Sequence, residues 1–135
     1  MMLIREMEAK DFNFVIDSWL KSFRTSPWAG VVPNNQYYSL YMGVIEQLIV
    51  GGATIYVAED EDKLLGFICC SVTDDGFGVI HYIYVKKNYR HWDVLPSLLD
   101  KVLGITPGFY TFRTHNIYKL LPGWKFAPEI ARRKL

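Results

Sequence analysis

Apolar positions set the first elements of the chain. Residues 3–7 alternate between apolar and polar, which predicts a short strand. From Asp11 onward, Phe12, Val15, Ile16, Trp19, Leu20 and Phe23 recur at spacings of three and four, the stripe of an amphipathic helix. The turn-forming run 25–30 breaks it. Pro33-Asn34-Asn35 then opens a second helix on Tyr37, Tyr41, Val44, Ile45, Leu48 and Ile49, closed by Gly51-Gly52. After Ala53 the pattern changes: 54–58 and 63–72 read as strands joined by the acidic turn 59–62, a hairpin. Asp74-Asp75-Gly76 is a further turn. Residues 79–85 are apolar without clean alternation, as expected of a central strand covered on both faces. A third helix carries Val94, Leu95, Leu98, Leu99, Val102 and Leu103 and stops at Gly104. The remainder predicts a strand at 109–113, a short helix at 116–121 and an extended piece at 124–130. The order β-α-α-β-β-β-α-β-α-β indicates a mixed α/β (α+β) chain without repeats or low-complexity segments.

Composition narrows the function classes. A chain of 135 residues is expected to form a single domain over 1–135. It buries enough surface to need neither disulfides nor a structural metal. With 15 Lys+Arg against 14 Asp+Glu, the charge of +1 disfavours a dedicated duplex-DNA binder but leaves room for a local basic site. Cys69 and Cys70 are adjacent, so on a strand they point to opposite faces and a bond between them would be strained. They read as reduced core residues, consistent with a cytoplasmic protein. No apolar run reaches the roughly 20 residues that span a bilayer, and the N-terminus lacks a signal-peptide pattern. Four Trp, nine Tyr and eight Phe exceed what a small core encloses, so some rings are expected to line a pocket or an interface.

Three segments carry a resemblance. Val57-Ala58-Glu59 with Lys63-Leu64-Leu65-Gly66-Phe67 is similar to a hairpin pattern hVAe…g.hhGf. Ile83-Tyr84-Val85-Lys86-Lys87-Asn88-Tyr89-Arg90 is similar to hxVxPxYR, the most specific of the three. Thr114-His115-Asn116, Tyr118 and Gly123-Trp124-Lys125-Phe126 are similar to N…Y…GF. Together they resemble the GCN5-related N-acetyltransferase (GNAT) family over essentially the whole chain. The opening helix with residues 22–27 also looks like that of small phage-encoded acetyltransferase-like proteins. The resemblance implies a central mixed sheet of six to seven strands with helices on both faces, and acetyl-CoA or another acyl-CoA as cofactor. It places the pantetheine arm along residues 79–85 and the pyrophosphate at the next helix N-terminus, where unpaired N–H groups and the helix dipole attract anions. The implied cofactor residues are Ile83, Tyr84, Val85, Lys86, Arg90, His91, Trp92, Asp93, Val94, Leu95 and Asn116, with Lys87 adding charge. The family loop reads R/Q-x-x-G-x-G/A. Aligned on Arg90, it puts Asp93 and Leu95 at small-residue positions, and a carboxylate beside a phosphate costs on the order of 1 kcal/mol. Pro96, as third helical residue, lacks only a donor that is unpaired anyway.

The resemblance gives Tyr118 the role of acid toward the leaving thiolate, a packed aromatic being the alternative. His81 is the candidate base, since histidine with an ordinary pKa of about 6.5 accepts a proton at neutral pH. A core histidine bonded to backbone is the alternative. The acceptor pocket is implied at Trp28, Val31, Val32, Tyr37, Tyr38 and Tyr41, which suits a flat or apolar acceptor, or else an interface. Scattered histidines and vicinal cysteines show no metal-ligand spacing, so no metal is expected. No Walker loop or G-x-S-x-G elbow occurs. The expected function is acyl-CoA-dependent N-acyl transfer to an amine on a small molecule or protein by direct attack, in a monomer or homodimer away from membranes. The alternatives are a degenerate GNAT-fold binding or inhibitory module, and a nucleic-acid-modifying transferase using Lys86, Lys87, Arg90 and Arg132-Arg133-Lys134.

Overall fold

The computed structural model describes residues 2–24, 33–90, 93–103, 108–111 and 124–127. The expected helix at 116–121, the basic tail 132–134 and most of the final extended piece lie outside them. Six strands form one sheet in chain order: β1 (Met2–Glu6), β2 (Thr54–Asp60), β3 (Lys63–Val72), β4 (Gly78–Val85), β5 (Phe109–Tyr110) and β6 (Lys125–Phe126). The first four pair antiparallel, and β4–β5 and β5–β6 pair parallel, which makes the sheet mixed. The β2–β3 hairpin closes on Glu61 and Asp62, both at positive φ (49° and 67°), the pairing of a tight two-residue turn whose twist suits the strands.

Three helices cover the sheet: α1 (Phe12–Arg24), α2 (Asn34–Val50) and α3 (Val94–Leu103). They begin and end within a few residues of the boundaries their sequence signals predict, α2 ending where Gly51 breaks its ladder. Val15, Ile16, Trp19 and Leu20 of α1 are buried, with Phe12 and Phe23 partly so. Trp19 packs on Phe67 and Tyr82, side chains of one sheet face. α3 lies on the other: its Lys101 Nζ sits 5.2 Å over the ring of Tyr56, and Tyr56 alternates with the Val57 that pairs with Phe67. Helices therefore occupy both faces, as expected. Among the described residues, no helix is long and apolar enough to cross a membrane.

The amino end is tied to the sheet by charge. Arg5 on β1 donates to both oxygens of Asp11 (2.6 and 3.1 Å) and to both of Glu59 on β2 (3.2 and 3.3 Å). Asp11 also accepts the Glu8 N–H at 2.8 Å, fixing the turn into α1. The guanidinium holds both carboxyls below their ordinary values of 3.8 and 4.5, against the opposing effect of burial. Glu59 is thereby engaged on β2, with β3 between it and β4. Cys69 and Cys70 are free and buried; burial pushes both thiols up, Cys70 to about 11.

Candidate active site

Two irregularities of the sheet coincide. On β3 and β4 the register passes from Cys69 opposite Tyr82 to Cys70 opposite Ile80, so His81 is an extra residue, a bulge. The described pairing of β5 with β4 stops at the same point. Among the described residues, it covers Val79↔Phe109 and Ile80↔Tyr110, followed by the Thr111 N–H on the Ile80 carbonyl (3.0 Å) and the Thr111 hydroxyl on that of His81 (3.4 Å).

Beyond the bulge the backbone directions follow from the register. The Lys86 N–H donates to the Leu65 carbonyl of β3 (2.8 Å), so Tyr82, Tyr84 and Lys86 turn their backbone groups toward β3. Ile83 and Val85 turn theirs the other way, to the side on which β5 pairs with Val79 and Ile80. The Val85 carbonyl there accepts the Arg90 Nε at 3.3 Å. Among the described residues, nothing pairs with the N–H and C=O of Ile83 or the N–H of Val85. These are one acceptor and two donors spaced along an extended edge, the complement of a ligand carrying amides in series.

The strand leads into a short 3-10 turn at Lys87–Tyr89 and then into α3. Lys87 and Arg90 are exposed. Lys86 is half-buried, its ammonium 5.1 Å over the Phe14 ring of α1. Asp93 precedes α3; its carbonyl accepts the Ser97 N–H at 3.1 Å and its side chain is exposed. Val94 is buried and Leu95 partly so, both packing against the sheet. The structure thus brings Ile83, Tyr84, Val85, Lys86, Arg90, Asp93, Val94 and Leu95 to one sheet edge and the helix that follows it. His91, Trp92 and Asn116 lie outside the described residues, as do Tyr118, Trp28, Val31 and Val32.

His81 is 4% exposed, and its Nε2 is 2.8 Å from the Ser71 hydroxyl. It therefore sits at the bulge, held by a side chain that the sequence had not singled out. Ser71 lies ten residues away and meets His81 only because the bulge shifts the register. Tyr82 is buried, stacked on Trp19 at 5.0 Å, and its hydroxyl is 2.6 Å from that of Ser22. Burial pushes its phenol up to about 12.

Phe23, Tyr41, Tyr37 and Tyr38 continue from Tyr82 as one array. Phe23 contacts Tyr82 (6.2 Å) and Tyr41 (5.1 Å), Tyr41 contacts Tyr37 (4.9 Å), and Tyr37 contacts Tyr38 (5.2 Å). Tyr37 is fully enclosed, and its hydroxyl donates to the Leu20 carbonyl at 2.6 Å. Tyr41 is half-buried and Tyr38 is 47% exposed. The three described members of the expected acceptor set, Tyr37, Tyr38 and Tyr41, thus adjoin one another, with different access: Tyr37 is enclosed, and Tyr38 offers its ring to solvent.

Comparison with known proteins gives this arrangement a family. The Acetyltransferase (GNAT) family matches residues 13–103, more than half of the chain. No curated protein sequence matches it significantly. Among solved structures, an acetyl transferase from Pyrococcus furiosus superposes with a TM-score of 0.69 at 19% identity, covering 89% of this chain and 88% of the other. A GNAT-family acetyltransferase from Staphylococcus aureus Mu50 gives 0.55 at 18% identity over 76% of this chain, which spans only 63% of that protein's length. The PaiA N-acetyltransferase of Thermoplasma acidophilum, solved with coenzyme A, gives 0.53 at 17% identity, covering 75% and 69%. At these identities the structures establish a shared fold. With the family match over α1 to α3, the β4 edge and its basic flank belong to a member of the GNAT acetyltransferase family.

Proposed function

We propose that the chain is an acyl-CoA-dependent N-acyltransferase whose cofactor arm lies along Ile83 and Val85. The observation that carries the reading is the coincidence of the His81 bulge with the last described β4–β5 pair, beyond which the amide groups of Ile83 and Val85 face away from β3 without a partner among the described residues. The residues fit the cofactor. The Ile83 N–H and C=O and the Val85 N–H would bind the pantetheine amides. The first turn of α3, with Lys87 and Arg90 beside it, would take the pyrophosphate. Bound there, an acyl-CoA supplies an activated thioester. His81, oriented by Ser71, takes the proton of the attacking amine. Tyr118 protonates the departing sulfur. Tyr37, Tyr38 and Tyr41 shape the acceptor side, and the wall they form favours an acceptor with a flat ring.

A second reading keeps the fold without the chemistry, as a binding or inhibitory module. Asp93 favours it: an exposed carboxylate stands at the start of α3, where a diphosphate would approach. Calorimetric titration with acetyl-CoA and with CoA separates the two. The enzyme reading expects saturable heat with both ligands and acetyl transfer to an amine panel; absence of heat at near-millimolar ligand overturns it in favour of the module. His81→Gln is expected to lower kcat by about 100-fold while leaving CoA affinity unchanged.

A further inference from the structure

We propose that Arg24 is the anchor of an acceptor subsite for a carboxylate carried on an aromatic ring. This rests on the acyltransferase reading and gives its acceptor a chemical class, an anionic aromatic amine. Arg24 is the last residue of α1, and its guanidinium carbon lies 4.7 Å from the centroid of the Tyr37 ring. That ring is fixed by full burial and by the hydroxyl bond to Leu20, so it holds the guanidinium plane in place. Yet Arg24 Nη1 is buried without a hydrogen-bond partner among the described residues, and no described carboxylate pairs with it. The C-terminal end of a helix accounts for a cation here but not for a desolvated N–H that lacks an acceptor. A guanidinium carries its N–H groups in its own plane, the geometry that donates paired bonds to a carboxylate.

The rings around Arg24 supply the rest. Tyr38 is exposed beside Tyr37, and Tyr41 and Phe23 continue the array to Tyr82, next to the bulge where the thioester would lie. An acceptor with its anion on Arg24 would lay its ring against the exposed Tyr38 and the half-buried Tyr41, on the array that continues through Phe23 to Tyr82.

The test is calorimetric titration of the full chain with benzoate and with its uncharged counterpart benzamide, beside a titration with CoA. The wild-type protein is expected to bind benzoate at least about 10-fold tighter than benzamide, and Arg24→Gln to weaken benzoate by about 10- to 100-fold with benzamide, CoA binding and Tm unchanged. Equal affinity for the two probes, no benzoate binding, or wild-type benzoate affinity in a folded Arg24→Gln protein overturns the proposal. Should Arg24→Gln fail to fold, the wild-type comparison decides alone. Benzoate preference without CoA binding would sustain the anion subsite and remove the transferase reading; CoA binding without benzoate preference would do the reverse.

Discussion

At Gly108, just before β5, the backbone comes so close to β4 that a methyl group would overlap the Gly78 carbonyl, and one at Gly78 would strike the Trp124 ring. No side chain fits between these layers, so Gly108→Ala is expected to cost about 1–3 kcal/mol in chemical denaturation; an unchanged midpoint would contradict the close approach. Arg5 acts by charge. Its carboxylate partners titrate below their ordinary values, so the stabilisation is complete above those values and is lost as the pH falls through the lowered ones. Arg5→Gln leaves the nearly enclosed Asp11 carboxylate uncompensated and is expected to cost about 2–4 kcal/mol at neutral pH, with a flatter acid limb. Denaturation at neutral and acid pH checks both. Tyr37 and Tyr82 work in the opposite sense. Burial raises each from 10.0 to about 12, so stability is lost as the pH rises across that interval, and their tyrosinate absorbance should appear late in an alkaline titration. None of these pairings was legible in the sequence. Arg5 and Glu59 stand 54 residues apart, and Arg24 and Tyr37 look like an ordinary helix end and an ordinary helix stripe until the two helices meet.

At the scale of elements, the three helices and the β2–β3 hairpin were legible because periodicity and breakers agreed at each. The β4 strand was legible as a buried run but not as a bulged one: with both faces apolar, its alternation carries no phase, and an extra residue leaves no mark in the pattern. That is why His81 could be named as a candidate while Ser71 could not. α3 shows the reverse case. Aligning on Arg90 put Asp93 just before the helix, and its carbonyl does take the first helical bond, to Ser97. Pro96 follows as third residue without interrupting α3. Asp93→Gly is accordingly expected to tighten CoA by about 5-fold through removal of the opposing charge, and Arg90→Ala to weaken it by about as much. Calorimetry reads both. Unchanged affinity in the pair would place the pyrophosphate elsewhere.

For the whole molecule, the order of elements pointed to the fold, but a linear pattern does not show how far neighbouring strands pair. The four antiparallel strands pair over five to seven residues at each seam, whereas among the described residues β5 holds β4 by two residue pairs and β6 holds β5 by two more. Such unequal seams divide a molecule into units that open at different free energies. Hydrogen exchange is expected to show amide protection in β2 and β3 close to the global stability, and much earlier exchange at Phe109, Tyr110 and Lys125. Uniform protection across all six strands would refute this. The proposed cofactor arm would lie beside the same parallel seam. A ligand bridging β4 and the strands beyond it would lend them a rung they lack, so the protein should gain cooperativity in unfolding, and not only a higher midpoint, when its ligand binds.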